Sequence, residues 1–397
     1  MASLRVSISI LVLYLSTFIL NSVLSLSKCS TYLPENHRAL FIFGDSLFDT
    51  GNNDYINATT FLQANYPPYG ETFFNYPTGR FSDGRIIPDF IAEYAKLPLI
   101  PPYLHPGYHD EHIYGVNFAS AGAGALVETN QGLVIDLTTQ ANHFTEVSKQ
   151  IRQKLGDVEA KQLLSRAVYL FSIGGNDYGT HFITNSNSAV VLPYPQQQFV
   201  DFVIGNITAV IKGIYNDGGR KFGFVNVGPL NCFPLLRRLV NGTTISACQE
   251  EAASALARLH NNAFPKMLQK LEKQLEGFRY SITDFYNALI EVMTNSSNYG
   301  FIEGNEACCG GGAYRGDYSC GGKRGIEEYE LCNNVNEYVF FDSLHPTERA
   351  AEHFAKIMWN GNRDVEPYNL KHLFHYGWDE SIFDTYYGSS MGDFEMS

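Results

Sequence analysis

The sequence predicts a three-layer α/β/α domain built on a parallel sheet of five strands. Three observations carry this. Short apolar runs bounded by glycine and asparagine alternate with longer helix-like runs, the pattern of repeated strand–helix–strand units. The 397 residues are enough to bury a full core. Hydrophobic residues make up 45% and charged residues 17%, a globular balance. No linker or internal repeat divides the chain.

The first strand is expected over residues 39–43, a continuous apolar run short enough to be a buried strand. A polar loop rich in Pro, Gly and Tyr follows over 55–83. A helix is expected over 85–96, with Ile86, Ile87, Phe90, Ile91 and Tyr94 on one face and Pro88 tolerated in its first turn. The second strand, 113–118, runs into the small residues 119–124. Residues 137–155 read as a helix. The third strand, 167–173, ends at Gly174-Gly175-Asn176-Asp177, which reads as a turn. A helix over 199–215 is stopped by Asn216-Asp217-Gly218-Gly219, and the fourth strand is 221–227. A long helix, 247–275, carries Pro265, which is expected to kink or split it. The fifth strand is 280–285, a Cys- and Gly-rich loop spans 303–332, and a last helix covers 347–359 behind Pro346.

Both ends differ from this body. Arg5 is the only charge before Lys28, and an apolar stretch over 8–20 is followed by Ser22, Ser25 and Ser27. Residues 1–27 therefore read as a signal peptide, 28–375 as the domain, and 376–397 as a loose tail whose charges are all acidic. Seven cysteines, at 29, 232, 248, 308, 309, 320 and 332, read as loop staples of an oxidising compartment, their pairing open and one left over. Sequons stand at Asn57, Asn206, Asn241 and Asn295. Export follows, to the extracellular space or apoplast or to another secretory-pathway compartment such as the vacuole. A net charge of -13 argues against a nucleic-acid partner. No later stretch is apolar enough to stay in a membrane once the leader is cleaved.

The chemistry centres on Phe43-Gly44-Asp45-Ser46-Leu47-Phe48-Asp49-Thr50-Gly51-Asn52-Asn53. Ser46 follows the first strand, where open α/β sheets place reacting groups. A serine hydroxyl attacks at neutral pH only if a base removes its proton. His345, in Asp342-Ser343-Leu344-His345-Pro346, is the candidate base. Asp342, three residues earlier, can orient the ring and stabilise the imidazolium. The backbone N–H groups of Ser46 and Gly122 and the Asn176 amide are candidate oxyanion donors, the glycine allowing close backbone approach. Two look-alikes are set aside. Gly388-Ser389-Ser390-Met391-Gly392 fits a nucleophile elbow but has no strand before it and no histidine after it. His105, His109 and His112 suggest a metal cluster, but Pro106 and Gly107 break the helix that would align them, so they read as a solvated loop.

Taken together the motifs resemble the plant GDSL esterase/lipase family within the SGNH hydrolases. FGDSLFDTGNN (43–53), GVNFASAGAG (115–124), GGND (174–177) and DSLHP (342–346) occur in that order. PTGRFSDGR, FGFVNVGPLNC and ACCGGG extend the similarity over roughly residues 40–374. The resemblance implies a flavodoxin-like sheet and no metal or other cofactor. It also implies Ser46 as nucleophile, His345 as base, Asp342 as its partner, and Gly122 and Asn176 as oxyanion donors. The expected activity is hydrolysis of a small-molecule or lipid ester through an acyl-serine. Two alternatives stand beside it: acyl transfer to an alcohol by the same residues, and a catalytically silent binding or defence protein.

Overall fold

The computed structural model describes residues 37–376 except 108, 185–191, 193 and 240–243. The expected leader, Cys29, Asn241, the 388–392 look-alike and all of the tail beyond Tyr376 lie outside the described residues. In chain order the elements are β1 (Leu40–Gly44), α1 (Ile87–Tyr94), β2 (Gly115–Asn117), α2 (Leu137–Leu155), α3 (Asp157–Arg166), β3 (Val168–Ser172), α4 (Gly175–Thr184), α5 (Gln196–Asn216) and β4 (Lys221–Val225). Then come α6 (Pro234–Leu239), α7 (Ile245–Glu250), α8 (Ala252–Gln274), β5 (Arg279–Thr283), α9 (Phe285–Thr294), β6 (Glu303–Ala307), β7 (Cys309–Gly310), β8 (Glu330–Leu331), β9 (Tyr338–Phe340), α10 (Glu348–Asn360), β10 (Val365–Pro367) and α11 (Leu370–His375).

The main sheet has the order β2-β1-β3-β4-β5-β10. Its first five strands are the expected parallel set, in the flavodoxin-like order. The sixth, β10, pairs antiparallel with β5 and was not expected: three residues ending in proline carry no strand periodicity. β1, β3 and β4 are buried along their whole length, as strands covered by helices on both faces must be. Phe43, Phe171 and Phe224 stack across them, with ring centroids 4.8 and 5.3 Å apart. Such pairs add about 1 kcal/mol each beyond area burial.

Strand order reverses between β1 and β3, and there the carboxyl ends of the two strands leave a crevice. Their ends are level, Gly44 opposite Ser172. Gly44 has φ +147, and a Cβ there would lie 2.2 Å from the Ser172 carbonyl oxygen, so only glycine fits. The Gln140 side chain on α2 accepts from Gly44 N at 2.8 Å and donates to Gly44 O at 2.9 Å, fixing the strand end from behind.

Three further expectations are corrected. GGND is not a free turn: Gly175 opens α4, so Asn176 and Asp177 sit in its first turn. The predicted 247–275 helix does divide, but at Glu251, whose backbone is extended; Pro265 lies inside α8. The Cys232–Cys248 disulfide holds the short α7 in place. In the Cys-rich segment, β6 pairs with β9 and β7 with β8, stapled by Cys308–Cys332 and Cys309–Cys320. Among the described residues no helix is long and apolar enough to cross a membrane.

Candidate active site

The first motif is bound to the second by its own polar side chains. Asp49 accepts from Gly51 N and Asn52 N at 2.7 Å each and from Ala121 N at 2.9 Å. Asn52 donates to Asn117 O and Ala119 O, and Asn53 donates to Ala121 O. The turn that carries Ser46 and the loop that carries Gly122 thus form one hydrogen-bonded unit. The third motif joins from α4. Asp177 accepts from Ala125 N, Leu126 N and the Thr129 hydroxyl, and Asn176 Nδ2 donates to Ala123 O at 3.0 Å. A primary amide has two N–H groups, so Asn176 retains a second donor.

The last motif approaches from β9 and the N-terminus of α10. His345 Nε2 lies 2.8 Å from Ser46 Oγ, and His345 Nδ1 lies 2.7 Å from Asp342 Oδ1. Asp342 Oδ1 also accepts from Leu344 N at 2.9 Å and His345 N at 2.8 Å. The sequence separation of 299 between Ser46 and His345 is bridged by the level ends of β1 and β3 and by the return of the chain beside them. Asp342 and His345 are buried, while Ser46 is half-buried. The Phe81 ring lies 4.7 Å from the imidazole, centroid to centroid, and shields it.

Sequence reasoning missed two participants. Tyr69 donates to Asp342 Oδ2 at 2.6 Å and accepts from Arg324 Nη1 at 2.7 Å. Arg324 is itself buried, donating to Gln63 O at 2.8 Å, with its guanidinium over the Tyr318 ring at 3.9 Å. Burial by itself would raise the Asp342 pKa. The facing imidazole, its hydrogen bond, the Arg324 charge and the Tyr69 hydroxyl outweigh burial and hold the carboxyl down at about 2. Tyr69 sits in the Pro/Gly-rich loop and Arg324 in the Cys-rich one, neither with periodicity. A buried Tyr–Arg pair has no signature in a single sequence.

A cavity of about 90 Å³ opens in the crevice. Ser46, Asn176 and His345 line it, with apolar walls that include Ile173, Val227, Leu230, Phe233 and Leu236. Gly122 is not part of this wall. It has φ +81, and a Cβ there would lie 2.6 Å from Leu62 Cδ2. The backbone conformation by itself therefore favours glycine there. Among the described residues neither Ser46 N nor Gly122 N donates to a protein acceptor.

Of the sequon residues, Asn57 and Asn206 are exposed and Asn295 is half-buried. Of the three loop histidines, His105 Nδ1 lies 2.9 Å from Pro106 O and His112 Nδ1 lies 3.2 Å from Gln150 Oε1. The His109 side chain lies outside the described part. Among the described residues no three His, Cys, Asp or Glu side chains are grouped to share a metal ion.

Comparison with known proteins gives concordant results. The profile of the family described as GDSL-like Lipase/Acylhydrolase matches residues 40–358. The chain is 52% identical over 364 residues to GDSL esterase/lipase 5 of Arabidopsis thaliana, covering 90% of this chain and 93% of that protein. It is 51% identical over 362 residues to a GDSL lipase of Tanacetum cinerariifolium, covering 91% and 94%.

Proposed function

This chain belongs to the GDSL-like lipase/acylhydrolase family, and from that premise we propose that it is an exported carboxylic ester hydrolase working through an acyl-serine on Ser46. The observation that carries the reading is the unbroken line from Ser46 Oγ to His345 to Asp342, at 2.8 and 2.7 Å, in the crevice where strand order reverses. His345 Nε2 takes the Ser46 proton as Oγ attacks the ester carbonyl carbon. The imidazolium so formed is stabilised through Nδ1–H by the Asp342 carboxylate. Ser46 N, Gly122 N and the second N–H of Asn176 receive the oxyanion. His345 then gives its proton to the departing alcohol. Water attacks the acyl-serine with His345 again as base, which releases the acid and restores Ser46.

The cavity of about 90 Å³ is well below the roughly 300 Å³ of sites that enclose a whole ligand. It receives part of the substrate, the apolar acyl group of a lipid or specialised-metabolite ester, while the alcohol remains at the mouth. Export is supported by the leader-like residues 1–27, the three disulfides and the exposed sequons at Asn57 and Asn206. On this reading residues 28–375 are the hydrolase domain and 376–397 its appended tail. Ser46→Ala tests the proposal. Hydrolysis of 4-nitrophenyl butyrate should fall to background with an unchanged thermal midpoint, and retained turnover refutes the assignment.

A further inference from the structure

Among the described residues, a Cβ can be built on six glycines without meeting any atom within 4 Å beyond the adjoining backbone: Gly107, Gly132, Gly179, Gly205, Gly213 and Gly325. Five of these are exposed, and their open space is solvent. Gly179 alone is buried. Its open space is the cavity beside Ser46, which it lines together with Asn176 and Ile183. The three positions are separated by three and four residues, so they share one face of α4.

Gly179 lies in the interior of α4, in ordinary helical backbone, where glycine is the weakest helix former apart from proline. Neither backbone conformation nor a close neighbour requires it, in contrast to Gly44 and Gly122. The fold would be as well or better served by alanine. What a side chain would remove is the room next to Asn176.

We propose that Gly179 is a specificity-determining position, holding open the part of the cavity that receives the acyl chain of the ester. The inference rests on the esterase reading above and extends it. The alcohol oxygen must face His345 Nε2 to receive its proton. The acyl chain is bonded to the carbon whose oxygen Asn176 receives, so the wall one turn along α4 from Asn176 meets acyl methylenes. One methylene gained or lost in an apolar pocket changes discrimination by about 10- to 200-fold. A side chain at 179 therefore acts on chain length and not on chemistry.

The experiment measures kcat/KM for 4-nitrophenyl acetate, butyrate and octanoate, and for acetates of short and long alcohols, with Gly179→Ala, Gly179→Leu and wild type. Gly179→Leu should keep acetate within about threefold and lose octanoate by tenfold or more. Gly179→Ala should shift the same way by a few-fold, with a thermal midpoint at or above wild type, and it gives the answer should the leucine variant not fold. The alcohol series should be unaffected. A uniform loss across acyl lengths, no change, or a shift confined to the alcohol series overturns the inference while leaving Ser46 as nucleophile. Absence of any ester hydrolysis by wild type overturns the esterase reading and the inference with it.

Discussion

Asp342→Asn tests how His345 is supported, and the surrounding bonds fix its expected size. Asp342 Oδ1 faces three N–H groups, on Leu344 N, His345 N and His345 Nδ1. The amide introduced by this substitution can keep its oxygen there, which leaves its NH2 against the Tyr69 hydroxyl. The opposite orientation would set that NH2 against three donors and is excluded. The retained orientation preserves the imidazole tautomer, so the loss is of charge, not of geometry. A unit charge about 4 Å from the imidazolium is worth about 4 kcal/mol at an effective dielectric of 20. That corresponds to roughly a thousandfold in rate. Tyr69 already accepts from Arg324, so in this variant its own proton has no acceptor. Stability should fall by about 1–3 kcal/mol on that account. Adding Tyr69→Phe should restore neither stability nor rate, because it takes the acceptor from the buried Arg324 Nη1. The assay is kcat/KM on 4-nitrophenyl butyrate at pH 7.5, with urea unfolding of the same preparations. A loss smaller than tenfold would show that the carboxylate contributes little to His345 and would refute the reasoning.

Three further outcomes are expected. Asn176→Ala should lower kcat by 10²–10³, about 3 kcal/mol, with KM little changed; a fall below tenfold in steady-state kinetics removes it from the oxyanion site. His260 is buried 2.9 Å from the Tyr178 hydroxyl, and burial lowers its pKa from 6.5 to about 3. A depressed folded value means stability is present above pH 6.5 and is lost as pH falls towards 3. Between pH 7.5 and 5 wild type should lose about 2 kcal/mol relative to His260→Gln in urea titrations; parallel pH dependence of the two would contradict this. Replacing Cys309 and Cys320 by serine opens a loop of sequence separation 11 that leads into Arg324. Unfolding free energy should drop by about 3 kcal/mol, and equal stability of the double variant would contradict it.

Two of the proposed catalytic residues, Ser46 and Asn176, were legible because each follows a strand, and strands announce themselves as apolar runs. Gly44 ends β1 with Ser46 just beyond it, and Asn176 follows β3 after a glycine pair. The support was not. Tyr69 and Arg324 belong to loops whose shape is set by disulfides and buried polar bonds between residues 255 positions apart. Gly174-Gly175 suggested a turn because glycine is a poor helix former, yet Asp177 caps the loop 125–129 and so anchors the start of α4. α9 was hidden because its first residue, Phe285, also completes the apolar run of β5. Pro265 was given the break that belongs to Glu251, where a short disulfide-held helix meets a long one.

The most direct measurement is covalent labelling with a fluorophosphonate, which traps an activated serine, followed by peptide mass mapping and assay of residual hydrolysis. One adduct per chain on the peptide containing Ser46, formed in step with loss of activity and absent in His345→Gln, is the expected result. Inactivation with the adduct on a different residue, or full activity after stoichiometric labelling of Ser46, would contradict the account.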